Sequence, residues 1–190
     1  MTDSSTGGIL NNPNIALNDV ALDSVFQGFF ASITQLTTDN VRLRWTPEPQ
    51  TPPDFNATWC AVGVTEIRDD GYPYQEFIDG VGIVMHRHEY LDVLASFYGP
   101  KAQQAMRAAS DGVLIVQNNE GIMSANGIVF THYSDPIKAP QLMQNRWANR
   151  IDRTFTFRRQ IQSTYDVLSI QEMDGTMTNG TLSSTLKTDT

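Results

Sequence analysis

The densest group of residues that could do chemistry is the run His86, Arg87, His88 and Glu89. In a strand, side chains two positions apart point to the same face, so His86 and His88 could reach one metal ion. Glu89 points to the opposite face, and the sequence offers no further ligand close by. We therefore interpret these residues as structural or interface polar groups, and we predict neither a metal nor another cofactor.

The sequence contains one cysteine, Cys60, which excludes an intrachain disulfide and a cysteine-rich zinc site. Cys60 shares a strand face with Val62 and Val64, and this pattern indicates a small buried residue rather than a nucleophile. Phosphate-binding loops, zinc-binding helix motifs and nucleophile elbows do not occur in the sequence. A catalytic triad is assembled in space and leaves no spacing signature, so a small hydrolase stays an alternative to our prediction of a non-enzyme.

Charge is distributed unevenly along the chain. The 190 residues have a formal net charge of −8, which disfavours a free-standing DNA-binding module. Residues 1–40 contain four aspartates and no lysine or arginine, whereas residues 146–159 contain five arginines and one aspartate. Such a chain can associate with copies of itself, and ordinary surface arginines are the alternative. The residues that we predict at a subunit or partner interface are Arg153, Arg158, Arg159, Arg87 and Glu89.

Two long stretches with a period of two must position these residues. In residues 88–98 the odd positions from Leu91 are apolar, and Gly99 and Pro100 end the predicted strand. The second predicted strand, residues 150–164, places Arg153 and Arg159 in register with its apolar face. Between them lies a predicted helix over residues 101–116. A strand, a short break and a helix predict an α+β domain.

Shorter segments complete this α+β prediction. Apolar residues at helical spacing, three phenylalanines among them, predict a core helix from Leu22 to Leu36. Strands 57–67 and 83–98 are predicted to form a hairpin with a solvated loop at 68–82. The remaining predictions are strands at 41–45 and 128–133, an extended proline-rich loop at 46–56, a helical turn at 120–125 and a short helix at 140–147.

The two ends of the sequence are poor in large apolar residues. We predict a flexible N-terminal arm at 1–16, a single domain at 17–173 and a flexible C-terminal tail at 174–190. No apolar run approaches the ~18–20 residues that span a bilayer, and the first residues lack the basic and apolar regions of a signal peptide. We therefore expect the protein to work without a membrane, in a cytoplasm or on a particle assembled there.

Several stretches, taken in order, resemble the neck or tail terminator proteins of contractile-tailed phages. The matching pieces are Val41-Arg42-Leu43-Arg44-Trp45-Thr46-Pro47, Pro52-Pro53, Trp59-Cys60-Ala61, Arg87-His88-Glu89 to Asp92, Ser96-Phe97-Tyr98-Gly99-Pro100, Gln117-Asn118, and Trp147 to Tyr165 with Arg153 and Arg158-Arg159-Gln160. The resemblance spans roughly residues 20–170, and it is the order and spacing of the pieces that make it specific.

This resemblance implies a central, mainly antiparallel sheet flanked by helices. It also implies a ring, usually of six copies, that ends the tail tube and joins it to head-completion or adaptor proteins. The expected partners are further copies of the chain, those head-completion proteins, the tail tube and the sheath, with genomic DNA passing through without sequence readout. The expected location is the virion neck after assembly in the host cytoplasm. Another ring-forming neck component or a tail tube protein is the alternative.

Overall fold

The computed structural model describes residues 9–10, 16–46, 51, 53–79, 81–143 and 145–167, and the backbone of residues 175–179 and 182–186. The predicted N-terminal arm at 1–16 therefore lies almost entirely outside the described residues, as do residues 47–50 and 52 of the proline-rich loop. The chain divides into two compact units. The larger contains residues 16–73 and 87–161, and the smaller contains residues 1–15, 74–86 and 162–190. The predicted domain limits at 16 and 173 stay predictions.

The fold is built on a seven-stranded sheet. In chain order, the strands of the described residues are β1 (Val41–Leu43), β2 (Trp59–Asp69), β3 (Tyr74–Ile78), β4 (Gly82–Tyr98), β5 (Ile128–Tyr133), β6 (Ile137–Lys138), β7 (Gln141–Met143), β8 (Arg146–Ala148), β9 (Arg150–Tyr165), β10 (Gly175–Asn179) and β11 (Leu182–Leu186). The sheet has the order β1-β2-β4-β9-β5, with β3 on β4 and β6 on β9. Apart from the parallel pair β1–β2, the pairs β2–β4, β3–β4, β5–β9 and β6–β9 are antiparallel, which confirms the predicted fold class.

One long helix covers the core of the larger unit. The helices of the described residues are α1 (Asp19–Thr34), α2 (Ala102–Gly112), α3 (Val116–Glu120) and α4 (Ile122–Ala125). The rings of Phe26 and Phe157 lie 5.0 Å apart, as do those of Phe30 and Phe155, and all four side chains are buried. Because buried apolar area stabilises a fold by ~25 cal/mol per Å2, this aromatic layer holds α1 on β9. None of these helices is long and apolar enough to cross a membrane.

Most predicted elements are confirmed, and four stretches differ. The predicted helix at 140–147 is wrong, because β7 and β8 pair as a hairpin with Leu142 opposite Trp147. Asn145 has a φ of 60°, a left-handed conformation that suits a turn and interrupts a helix. The predicted loop at 68–82 contains β3, which pairs Tyr74 with His86.

The other two differences concern the ends of elements. The predicted helix at 101–116 ends already at Gly112, and α3 begins after a short break. In the stretch 174–190, predicted to be a tail, the backbones of β10 and β11 pair antiparallel. Both strands are rich in threonine and serine, and threonine has a high strand propensity although it adds little to a core.

Candidate interaction site

Arg159 and Glu89 form a buried ion pair between the two long strands. Arg159 Nε and Nη2 lie 3.0 and 2.9 Å from Glu89 Oε2, and the Arg159 side chain is only 4% exposed. Arg159 also donates to the backbone carbonyl of Leu17 at 2.5 Å and to Asn18 Oδ1 at 3.1 Å, immediately before α1. A buried charge is tolerated only when it is paired and hydrogen-bonded. Because Arg159 contacts both Glu89 on β4 and the residues directly before α1, we assign the pair to anchoring α1 on the sheet.

Two other predicted interface residues reach solvent. Arg158 points to the opposite face of β9, where Nη2 lies 2.7 Å and Nε 2.9 Å from Asp70 Oδ2, and its side chain is 43% exposed. Arg87 Nη1 lies 3.9 Å from Asp69 Oδ1, and this side chain is 44% exposed. Because both side chains are more than two-fifths exposed, both guanidinium groups are accessible to a neighbouring molecule. Exposed ion pairs of this kind contribute little to stability.

Arg153 is held by four groups of its own chain, one of which is the Met106 sulfur, 3.6 Å from Nη1. Its guanidinium carbon lies 3.7 Å from the centre of the Tyr133 ring. Its Nε donates to the Ser134 carbonyl at 2.8 Å, and Nη1 donates to Ser110 Oγ on α2 at 2.5 Å. Arg153 therefore joins β9 to α2 and to the end of β5.

The arginine-rich strand is consequently not a bare basic patch. Each of the three arginines predicted from it has partners inside the chain, namely Ser110 and Ser134 for Arg153, Asp70 for Arg158 and Glu89 for Arg159. These partners are distant along the chain, so charge counted along the sequence could not reveal them.

A groove with a volume of about 380 Å3 lies between the start of α1 and the second half of β2. Val20, Trp45 and Ile67 form an apolar wall, and each is about half exposed. The nine residues that line the groove all belong to the described part of the chain, and the charged ones among them are all acidic. These acids are Asp19, Asp23 and Glu66. Asp23 is buried, and Glu66 Oε1 lies 3.5 Å from Arg68 Nε.

A bulge in β2 shapes this groove. The register of β2 against β4 shifts between Val64 and Glu66, and the Val64 N–H donates to Asp23 Oδ1 at 2.7 Å. Burial raises the pKa of the Asp23 carboxyl above its usual value, and the hydrogen bond from Val64 opposes this rise only in part. The contact ties α1 to the irregular part of β2, where the bulge re-aims the side chains.

The β7–β8 hairpin presents a second exposed apolar surface. Leu142 and Trp147 lie opposite each other, and Trp147 is 71% exposed. The nearby basic residues along the chain are Lys138, Arg146 and Arg150, and Arg150 is paired with Asp152 at 2.7 Å. The hairpin lies near the first residue of β2, because Trp59 lines a small cleft together with Met143 and Ala148.

The residues considered first for chemistry have structural surroundings. His86 Nε2 lies 3.6 Å from Glu76 Oε2 within the smaller unit. Cys60 is fully buried in the larger unit, as predicted, and burial raises the pKa of its thiol, which disfavours the reactive thiolate. Among the residues that the structure describes, no three His, Cys, Asp or Glu side chains are grouped to hold a metal ion.

Exposed apolar surfaces flanked by charge are typical of proteins that assemble with others. Residues 20–181 match the sequence model of a family described as phage neck terminator protein. Because the match covers most of the chain, the protein belongs to the phage neck terminator family, which confirms the resemblance seen in its motifs. No curated protein matches the sequence. Membership gives the protein a structural role in the phage neck, a place in the virion and contacts with other neck or tail proteins.

Proposed function

We propose that the protein forms a homo-oligomeric ring around the DNA channel, ends the tail tube and joins it to the head-completion or adaptor proteins. The observation that carries this proposal is the family match over residues 20–181. A ring is built from heterologous contacts, so each subunit must present two different complementary surfaces. The groove beside α1 and the β7–β8 hairpin are two different surfaces with exposed apolar side chains that such contacts can use.

The distribution of exposed apolar side chains supports an assembled state. Soluble monomers rarely expose large contiguous apolar patches, whereas interaction sites do. In the larger unit such side chains occur beside the groove, on the hairpin and between α2 and α3. These residues are Val20, Trp45, Ile67, Leu142, Trp147, Leu114, Ile115 and Val116.

The net charge of −8 supports a ring that encloses DNA without gripping it. Proteins that hold the duplex neutralise its phosphates with lysine and arginine, and their binding falls steeply with salt. Arg150, Arg153 and Arg159 of β9 are held by partners within the chain, so they add little to phosphate binding. The DNA contact of this ring is therefore proximity rather than recognition.

Native mass spectrometry and light scattering on the purified full chain test the ring. The predicted result is a closed oligomer whose mass is a multiple of 21.2 kDa, with six copies as the number that the motif resemblance implies. A chain that stays monomeric at every concentration, including in the presence of tail tube and head-completion proteins, contradicts the proposal.

Arg158 and Arg87 are our proposed charged contacts to a neighbouring subunit or neck protein. Reversing either charge, by Arg158→Glu or Arg87→Glu, should weaken ring formation more than it lowers the melting temperature, since both side chains are accessible. The matched control is Arg107→Glu on α2, which also reverses an exposed arginine. Equal losses of assembly and of thermal stability in the two test variants would argue against this assignment.

A further inference from the structure

The smaller unit presents an open sheet edge along β3. Among the described strands β3 pairs with β4 alone, in an unbroken register from Tyr74 opposite His86 to Ile78 opposite Gly82. All five residues of β3 are exposed, and the Phe77 side chain is 51% exposed. An edge strand presents a row of backbone N–H and C=O groups, so an exposed apolar edge is a template for a strand of another molecule.

The other sheet edges of the described residues are irregular or very short. The registers of β2 and β5 are interrupted, between Val64 and Glu66 in β2 and between Phe130 and His132 in β5. The strands β1 and β6 have only three and two residues. Bulges and very short strands are the means by which proteins prevent pairing between sheet edges. Because β3 has five residues in unbroken register, it is the edge best suited to accept a further strand.

The strands β10 and β11 form a second pair with open edges, which we call the C-terminal hairpin. Their backbones pair from Gly175 opposite Leu186 to Asn179 opposite Leu182, and they pair with no other described strand. An isolated two-stranded hairpin is only marginally stable in water, and a third strand stabilises it. Each strand of the C-terminal hairpin has five residues, as β3 does, and residues 175–186 contain no charged residue.

The chain before the C-terminal hairpin is long enough to let the hairpin reach a neighbouring copy. The end of β9 is fixed within the smaller unit, because a Cβ added at Gly82 would meet the carbonyl of Tyr165. From Val167 to Gly175 there are eight residue steps, which span up to ~26–29 Å when extended. Within one copy, β3 and the C-terminal hairpin belong to separate sheets. Every copy therefore supplies one open β3 edge and one hairpin that lacks a third strand.

We infer that the C-terminal hairpin of one copy adds to the outer edge of β3 in the next copy. This inference rests on the proposed ring and names one of its subunit contacts. Strand addition gains its affinity from backbone hydrogen bonds, which suits a hairpin without charged residues. A ring of copies uses every hairpin and every β3 edge once, whereas a hairpin docked on a different protein leaves β3 open. The two segments differ, so the contact is heterologous and forms a ring when the rotation closes.

Cross-linking between two variants of the full chain tests this contact. Gln75→Cys places a thiol in β3, Ser184→Cys places one in β11, and the native Cys60 is buried. When the two variants are produced together in one cell, a short bismaleimide should join them into a dimer. Digestion of that dimer should release a β3 peptide joined to a β11 peptide. Each variant produced alone, like the unmodified chain, should not form this dimer.

Two matched lysine variants measure how much the contact contributes to assembly. Phe77→Lys places a charge on the edge formed by β3, and the control Val129→Lys places one on β5, whose register is interrupted. Both replace an exposed apolar residue of an edge strand, so both melting temperatures should stay close to that of the unmodified chain. Sedimentation velocity should show assembly weakened roughly tenfold or more by Phe77→Lys and unchanged by Val129→Lys.

Other outcomes separate this inference from the ring itself. If the unmodified chain forms a closed oligomer but the variants produced together do not cross-link, the ring stands and the strand contact is overturned. The same holds if a chain with both cysteines cross-links only within itself, since the hairpin then pairs with its own β3. It also holds if Phe77→Lys keeps its ring, with or without losing a tail tube or head-completion protein, or if Val129→Lys disrupts assembly as strongly. A monomeric unmodified chain overturns both proposals.

Discussion

Replacing Arg159 with alanine should destabilise the protein far more than the same change at its neighbour Arg158. Loss of Arg159 leaves the Glu89 carboxylate buried without its cation and removes the donors to Leu17 and Asn18. Breaking a buried ion pair in this way costs about 3–5 kcal/mol. The Arg158–Asp70 pair is partly exposed, and pairs of that kind contribute about 0–1 kcal/mol.

The two variants are well matched, because both remove an arginine from β9 and both introduce alanine into a strand. Urea denaturation followed by circular dichroism, at one fixed protein concentration, measures the free energy of unfolding for each. For a domain of this size, 1 kcal/mol corresponds to roughly 2–4 °C in melting temperature. Arg159→Ala should therefore lower the melting temperature by about 6–20 °C, and Arg158→Ala by about 4 °C or less.

The double variant Arg159→Ala with Glu89→Ala checks the cause. It removes the stranded carboxylate, so it should be less destabilised than the sum of its two single variants. Equal costs for Arg159→Ala and Arg158→Ala would refute the buried pair. Unchanged stability together with a broken oligomer would instead restore Arg159 to the interface predicted from the sequence.

Three further predictions follow from buried or strained positions. Cys60 should resist a thiol reagent at pH 8 in the native protein and react fully in denaturant, because burial raises the pKa of its thiol; fast native labelling contradicts this. Gly99→Ala should cost clearly more than Gly71→Ala, because both glycines have a positive φ but an added Cβ at Gly99 meets the Ala57 carbonyl, while Gly71 faces open space. The left-handed backbone costs an alanine about 1–2 kcal/mol at either position. Equal unfolding free energies for the two variants would therefore exclude the predicted clash at Gly99. Asp23→Asn keeps an acceptor for the Val64 N–H but removes the carboxylate charge. Because burial raises the native pKa of Asp23, the contribution of the Asp23 side chain to the free energy of unfolding falls as pH rises through that pKa. The advantage of Asp23→Asn over the unmodified chain should thus be present at pH 7 and shrink towards pH 4, and an advantage that grows on acidification contradicts the assignment.

Both long strands could be predicted from the sequence because each has one face on the core. Period-two alternation is strong when one face is buried along the whole strand, as it is for residues 91–97 of β4. The same alternation places Glu89 in phase with Leu91, and Arg159 in phase with Phe157. The sequence pattern therefore indicated that Glu89 and Arg159 are both buried. It did not indicate that they pair, because the two residues are 70 positions apart in the chain.

The surfaces could not be predicted because distant segments create them. The groove depends on Asp23 meeting the Val64 N–H across 41 residues, at a bulge that leaves no mark in the local sequence. The hairpin at 141–148 was predicted as a helix because its apolar residues are few and its turn depends on the left-handed Asn145. The order of short motifs was informative even so, since it indicated the family that the sequence match confirms.

The most direct test of the central claim is a cryo-electron microscopy reconstruction of the neck in purified virions. It should show this chain as a ring where the tail tube ends and the head-completion proteins begin. Density that assigns the chain to the tail tube or to a head-completion layer, or particles that lack the chain, would contradict the account.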